Sequence, residues 1–267
     1  MVRDYYEIVT PLYRDGWGDA FNFPLFMGTE TLEEAAAAQE RRLADEGGFR
    51  PGWRVLDVGC GVGRPALTVA ARSGATVTGV NIVQDQVEIA RALAAERGLA
   101  GLARFVTADA MRLPFGRGHF DAAYVLQSMC HAPDKHAVYG EIARVVKPWG
   151  VFLGNDWLCR DGITAAEYAE YIEPICRTWA LPYLISVSEL AEHLERAGFR
   201  VTALGDLAER GNMSRNWELF EAKGRSLELR PQSPDVQLMR DAIAAVVRAA
   251  RAGAFLVGYW RATRVPA

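Results

Sequence analysis

The run VLDVGCGVGRPA, from Val55 to Ala66, constrains this chain more than any other feature. A strand-like apolar stretch ends in Gly59-Cys60-Gly61-Val62-Gly63, and a helical pattern follows at once. Glycines at such a junction let backbone amides approach a ligand closely, and the N-terminus of the following helix favours polar or anionic groups. A dinucleotide fingerprint would need glycine where Arg64 stands. The GxGxG spacing with Asp57 just ahead of it suits a ligand that joins a nucleoside to an amino acid, with Asp57 organising the loop and attracting an ammonium group. A purely structural turn is the bland alternative. An NAD-dependent oxidoreductase is opposed both by Arg64 and by Asn81 at the end of the next apolar run.

From Pro51 to Trp157 five short apolar runs, WRVLDV, ATVTGVNI, ARFVTAD, FDAAYVLQ and GVFLGND, alternate with helix-length segments. That rhythm predicts a parallel sheet with crossover helices. Helices are predicted over Pro65 to Arg72, Gln84 to Arg97 and Lys135 to Val146, with Gly98 and Lys147-Pro148 as stops. The first fifty residues differ: Tyr5, Tyr6, Tyr13, Trp17, Phe21, Phe23 and Phe26 crowd together before an Ala- and Glu-rich helix from Thr31 to Ala44. This aromatic segment reads either as a lid or as a plug on the core. After Trp157 come helices near Ala165 to Trp179 and Ser188 to Ala197, a strand at FRVTALGD, two more helices and a last strand at AFLVGYWRATR. The expected division is therefore a lid segment and helix over 1–50, a ligand-binding core over 51–157, and over 158–267 cap helices with the last two strands.

Bulk properties narrow the function. The 267 residues carry a net charge of -3, which offers no general attraction to nucleic acid or anionic membrane. Cys60, Cys130, Cys159 and Cys176 lack the paired spacing of a zinc site or disulfide framework, the N-terminus has no signal-peptide core, and no apolar run approaches a membrane span. The expectation is a cytoplasmic protein acting on a small molecule without a metal.

Residues at strand ends on the glycine-loop edge are the candidate site. Asn81 and Gln86 suit ribose hydroxyls, and Asp109 with the Ala110 amide suits an adenine edge. The alternative for the first pair is two polar side chains that only meet solvent, and for Asp109 a turn or helix cap. His131 and Asp156 follow the fourth and fifth runs, where a base oriented by a carboxylate would stand. A helix-capping histidine and a strand-end cap are the competing readings.

Taken together, VLDVGCGVGRPA, TADAMRLPF, QSMCHAPD and ARVVKPWG resemble the Rossmann-like S-adenosylmethionine-dependent methyltransferases, especially the branch of sterol C-methyltransferases and bacterial natural-product methyltransferases. The segment YYEIVTPLYRDGWGDAFNF is similar to that branch's YxxxTxxYxxGWGxxFHF pattern, with Asn22 in place of His. QSMCHAP is similar to EATCHAP, with Gln127 in place of Glu, a change that removes a carboxylate useful in a carbocationic reaction and weighs against a sterol acceptor. The resemblance implies an α/β fold with a seven-stranded, mostly parallel sheet of order 3-2-1-4-5-7-6, helices on both faces, an N-terminal aromatic lid and a C-terminal helical cap. It implies S-adenosylmethionine as cofactor, with Tyr6 approaching it and Gln127 beside its methionine part. Trp17, Asn22 and Phe23 would face the acceptor. The expected activity is methylation of a secondary metabolite, with an isoprenoid-like or indole-like carbon ahead of oxygen or nitrogen. A non-catalytic cofactor-binding module and self-association through the N-terminal segment are further readings.

Overall fold

The computed structural model describes residues 21–228 and 233–266. The first helix among the described residues, α1 (Leu32–Gly47), starts at a capping box. Glu34 N donates to Thr31 Oγ1 while Thr31 N donates to the Glu34 carboxylate, so two otherwise orphaned amides are satisfied. The helix runs past the predicted Ala44 to Gly47 and stops at the left-handed Gly48.

The predicted alternation then appears as strands β1 (Arg54–Val58), β2 (Thr76–Asn81), β3 (Ala103–Thr107), β4 (Phe120–Leu126) and β5 (Val146–Cys159), with helices α2 (Arg64–Ser73), α3 (Gln84–Glu96) and α4 (Lys135–Val145) as the main crossovers. These strands pair in parallel. Two later strands, β6 (Phe199–Asp206) and β7 (Phe255–Arg264), complete a seven-stranded sheet of order β3-β2-β1-β4-β5-β7-β6, in which β7 runs antiparallel to both neighbours. The sheet order is the one the resemblance implied.

Helices α5 (165–178), α6 (Val187–Arg196), α7 (Ser214–Glu228) and α8 (Pro234–Arg251) make up the rest. Within α5 the predicted regular helix is interrupted by a π turn at Tyr168–Ile172. The cause is Pro174, which has no N–H for the Glu170 carbonyl; that carbonyl accepts from Arg248 Nη2 instead, at 2.7 Å.

Three apolar clusters hold the molecule together. Val55, Leu67, Ala90 and Phe105 belong to one, with α1, α2 and α3; Leu56, Val125, Ile142 and Trp260 belong to a second, with α4 and α6. Neighbouring residues of β1 thus enter different clusters, as the period-2 alternation of a strand requires. The third gathers Phe23, Trp157, Trp179, Phe220 and Phe255, joining the start of the described chain to the ends of β5 and β7 and to the cap helices.

Candidate active site

β1, β2 and β4 end at a pocket of about 230 Å³. The glycine loop forms its floor. Gly59 N and Cys60 N both donate to the Val80 carbonyl, at 2.9 and 3.0 Å, which ties the loop to β2. Gly59 has φ 80°, and a Cβ there would lie 2.4 Å from Ser128, so no side chain fits. Gly61, at φ 53°, is different: a Cβ would meet nothing within 4 Å, because that face is open to the pocket.

Asp57, Asn81, Gln86, Asp109 and Ala110 all line this pocket with Gly59 and Gly61. Asp57 is buried and its Oδ2 has no hydrogen-bond partner. Burial pushes its carboxyl up to about 7; the adjacent Tyr124 hydroxyl opposes the rise and the Glu40 charge adds to it. Asn81 Nδ2 donates to Gln86 Oε1 at 2.6 Å and to the Gly61 carbonyl at 3.3 Å, so the two amides form one unit against the loop. Asp109 Oδ1 accepts from Met111 N at 2.8 Å, which leaves the turn reading and the ligand reading of this carboxylate both in force. An orphaned buried carboxylate oxygen, an open glycine face, a pair of amides and a second carboxylate fit the ammonium, methionine chain, ribose and adenine of S-adenosylmethionine.

The other end is built by side chains that meet across the chain. Gln127 closes β4 in the left-handed region, φ 53°. Its Oε1 accepts from Phe23 N and Trp157 Nε1, both at 2.9 Å, and its Nε2 donates to the Phe23 carbonyl and Asn155 Oδ1, both at 3.0 Å. The amide borders the pocket, but these contacts pin the N-terminal segment to the sheet. Asn22 lines the pocket, whereas Phe23 does not. Phe23 is buried against Trp157 (centroids 5.2 Å, 16° apart) and edge-on to Phe220 (4.7 Å), because its backbone is held by Gln127 with the ring turned into the cap cluster. Phe21 takes the pocket-facing place, stacked on Trp179 at 5.5 Å. Tyr6 and Trp17 lie outside the described residues.

His131 lines the pocket on a short 3-10 turn, Met129–His131. Burial, helped by the Lys135 charge and opposed by the Ala180 backbone, pushes its imidazole down to about 4. Asp156 is buried but is not part of the lining. Both its oxygens accept backbone amides, Oδ2 from Cys130 N at 3.0 Å and Oδ1 from Trp157 N at 2.7 Å. It therefore holds the turn that carries His131 instead of orienting the ring, which corrects the expected base-carboxylate pair.

Sequence reasoning missed Trp157 and Trp179 as pocket walls and Lys135 behind the turn. Trp157 and Trp179 were only element boundaries, and their edge contact at 4.9 Å is a tertiary fact with no local signature. Lys135 did leave a signal: a cation at the first position of a helix opposes the helix dipole and needs another reason to be there.

Residues 56–154 match the model of a family described as a methyltransferase domain. Over 209 residues, 78% of its length, the chain is 39% identical to 24-methylenesterol C-methyltransferase 2 of Oryza sativa subsp. japonica and spans 58% of that protein. Among solved structures it resembles the 4+2 cyclase SpnF, 28% identical with a TM-score of 0.84, covering 100% of this chain and 96% of that one. It has the fold of geranyl diphosphate C-methyltransferase from Streptomyces coelicolor A3(2), 18% identical with a TM-score of 0.77 and 98% of both chains covered.

Proposed function

The chain belongs to the Rossmann-like S-adenosylmethionine-dependent methyltransferases related to the sterol C-methyltransferases, and from that premise we propose that it methylates a carbon of an uncharged, isoprenoid-like or indole-like small molecule. The observation that carries this reading is the lining of the acceptor end. Phe21, Trp157 and Trp179 present ring surface there, and among the described residues the lining holds no lysine or arginine. Ring faces stabilise positive charge on a carbon framework, and the described lining offers no lysine or arginine to an acceptor diphosphate.

S-adenosylmethionine supplies an electrophilic methyl group on a sulfonium. The chain's own part is to place the acceptor in line, exclude water and receive a proton. Asp57 holds the ammonium, Asn81 with Gln86 the ribose, and Asp109 with the Ala110 amide the adenine. His131, depressed to about 4, is a poor base for a hydroxyl but sufficient for the acidic proton of a methylated carbocation. The weak imidazole thus favours carbon over oxygen.

The test offers prenylated alkenes, indoles, phenols and amines to the enzyme with labelled donor, reading S-adenosylhomocysteine release and the methylated atom by NMR. Methylation confined to phenols or amines would overturn the carbon reading. A second reading rests on the full-length similarity to a 4+2 cyclase: an apolar pocket that folds a polyene without methyl transfer. It predicts a product of unchanged mass and no S-adenosylhomocysteine. No helix among the described residues is long and apolar enough to cross a membrane. A cytoplasmic setting, a natural product as acceptor, closure of the 1–50 segment over the core and self-association through that segment belong to the same proposal.

A further inference from the structure

We propose that Lys135 is a positioning residue for the reaction: with Asp156 it fixes the Ser128–Ala132 turn as the acceptor-side wall and sets an ammonium behind His131. The proposal rests on the methyl-transfer reading of the pocket.

Lys135 is 2% exposed, although an ammonium is costly to bury and a cation at the first residue of α4 faces the positive end of the helix dipole. The helix does not need it, since the Asp134 side chain already caps α4 by accepting from Ala137 N at 2.9 Å. What it serves is the turn. Nζ donates to the carbonyls of Met129, Cys130 and Ala132, each at 2.9 Å, which uses all three ammonium protons. Three carbonyl dipoles converging on one point repel each other unless a cation sits there. From the strand side Asp156 takes the Cys130 amide. The turn is therefore gripped from behind by a cation on its carbonyls and an anion on its amide, with Ser128 to Pro133 left facing the pocket.

The grip has an electrostatic consequence. Around the Lys135 ammonium stand Asp156, Cys130 and Cys176, with the Tyr183 ring 4.9 Å away; burial pulls its pKa down while Asp156 opposes the fall. On His131 the Lys135 charge acts in the same direction as burial, so the imidazole stays neutral throughout the physiological range. A neutral ring does not repel a sulfonium or a methylated cation, whereas an imidazolium would.

The test follows the His131 imidazole by NMR titration in the wild type, K135M and K135R, alongside single-turnover transfer and cofactor affinity. The wild type is expected to titrate near 4, and K135M to move His131 up by a resolved step while burial, the larger cause, keeps it below the ordinary value near 6.5. Transfer in K135M should fall by about 10- to 100-fold with cofactor Kd changed less than about threefold, as expected when placement but not cofactor binding is lost. K135R should restore the depressed titration while recovering transfer only in part, because a planar guanidinium cannot converge on three carbonyls. Wild-type measurements stand if K135M does not fold: Lys135 should resist amine acylation at a rate that modifies Lys147, and His131 should stay unprotonated at pH 6. A wild-type His131 titrating near 6.5, a readily acylated Lys135, or a folded K135M with unchanged transfer overturns the proposal. If no acceptor releases S-adenosylhomocysteine, the methyl-transfer reading falls and the positioning role with it; a shifted His131 with unaltered transfer overturns the positioning role alone.

Discussion

The two ends of the pocket are made by different means. The end proposed for the cofactor is backbone geometry plus a few strand-end side chains: Gly59, Gly61, Asn81 and Asp109 stand where consecutive βα units stop. The end proposed for the acceptor is assembled from distant pieces, with Gln127 bonded to Phe23 across 104 positions and Phe21 stacked on Trp179. A site made of local turns tolerates little change in any one turn, while a site made of long-range contacts fails piece by piece. Four variants or conditions break or sharpen that contrast.

The largest effect is expected at Gly61. Valine there meets a left-handed backbone that β-branched residues avoid and projects into the pocket, although nothing else is within 4 Å to destabilise the fold. Calorimetry should show S-adenosylhomocysteine affinity reduced by about 100-fold or more, roughly 2.7 kcal/mol, with Tm lowered by only a few degrees through the strained backbone. Wild-type affinity in folded Gly61→Val would remove the glycine loop from the cofactor site.

The next concerns the acceptor end. Glu at position 127 keeps the two acceptor contacts but cannot donate to the Phe23 carbonyl and Asn155 Oδ1, and it sets a buried charge against both. A loss of about 2–3 kcal/mol is expected, lowering Tm by roughly 2–4 °C for each kcal/mol, with faster amide exchange at Phe23. An equally stable Gln127→Glu protein with unchanged exchange would show that the amide is not the anchor of the segment.

This contrast also explains what was legible in the sequence. The strand-helix alternation and the glycine loop carry their physics locally, so five strands and the Asp57, Asn81 and Asp109 positions could be read directly, and the resemblance supplied the sheet order. Gln127 was noticed as a substitution, but its bonds to Phe23, Asn155 and Trp157 join three segments that no pattern connects. Phe23 was expected to face the acceptor because it lies in an aromatic run; only the tertiary bond to Gln127 decides that Phe21 faces the pocket instead. Asp156 was read at the right edge of the sheet, yet backbone amides of its own strand and of the neighbouring turn claim both oxygens. The π turn of α5 was hidden because Pro174 sits where a first-turn proline is also tolerated.

A pH series tests Asp57 more gently. Its folded pKa of about 7 lies above the ordinary carboxylate value near 4, so the proton favours the folded apoprotein. That contribution is fully present below about pH 4 and is lost as pH rises toward 7. An ammonium at the carboxylate reverses the preference, so cofactor affinity should increase as pH rises toward about 7, by no more than about tenfold per unit, and level off above it. Asp57→Asn should flatten both profiles. A wild-type affinity independent of pH from 5.5 to 8 would separate Asp57 from the ammonium.

The smallest effect, at Asp109, asks whether a local carboxylate can serve the turn and the ligand at once. Oδ1 accepts from Met111 N at 2.8 Å, and the carboxylate also lines the pocket. Asp109→Ala removes both functions, whereas Asp109→Asn keeps an oxygen for Met111 N and offers an amide N–H₂ where an adenine amino group needs an acceptor. If the turn is the whole role, alanine lowers stability, asparagine does not, and neither changes cofactor affinity much. If the adenine is also read here, both variants weaken S-adenosylhomocysteine binding by about fivefold, roughly 1 kcal/mol, while only alanine lowers Tm. Binding and melting measured on the same two proteins therefore separate the roles, and wild-type affinity in Asp109→Asn would assign the carboxylate to the turn alone.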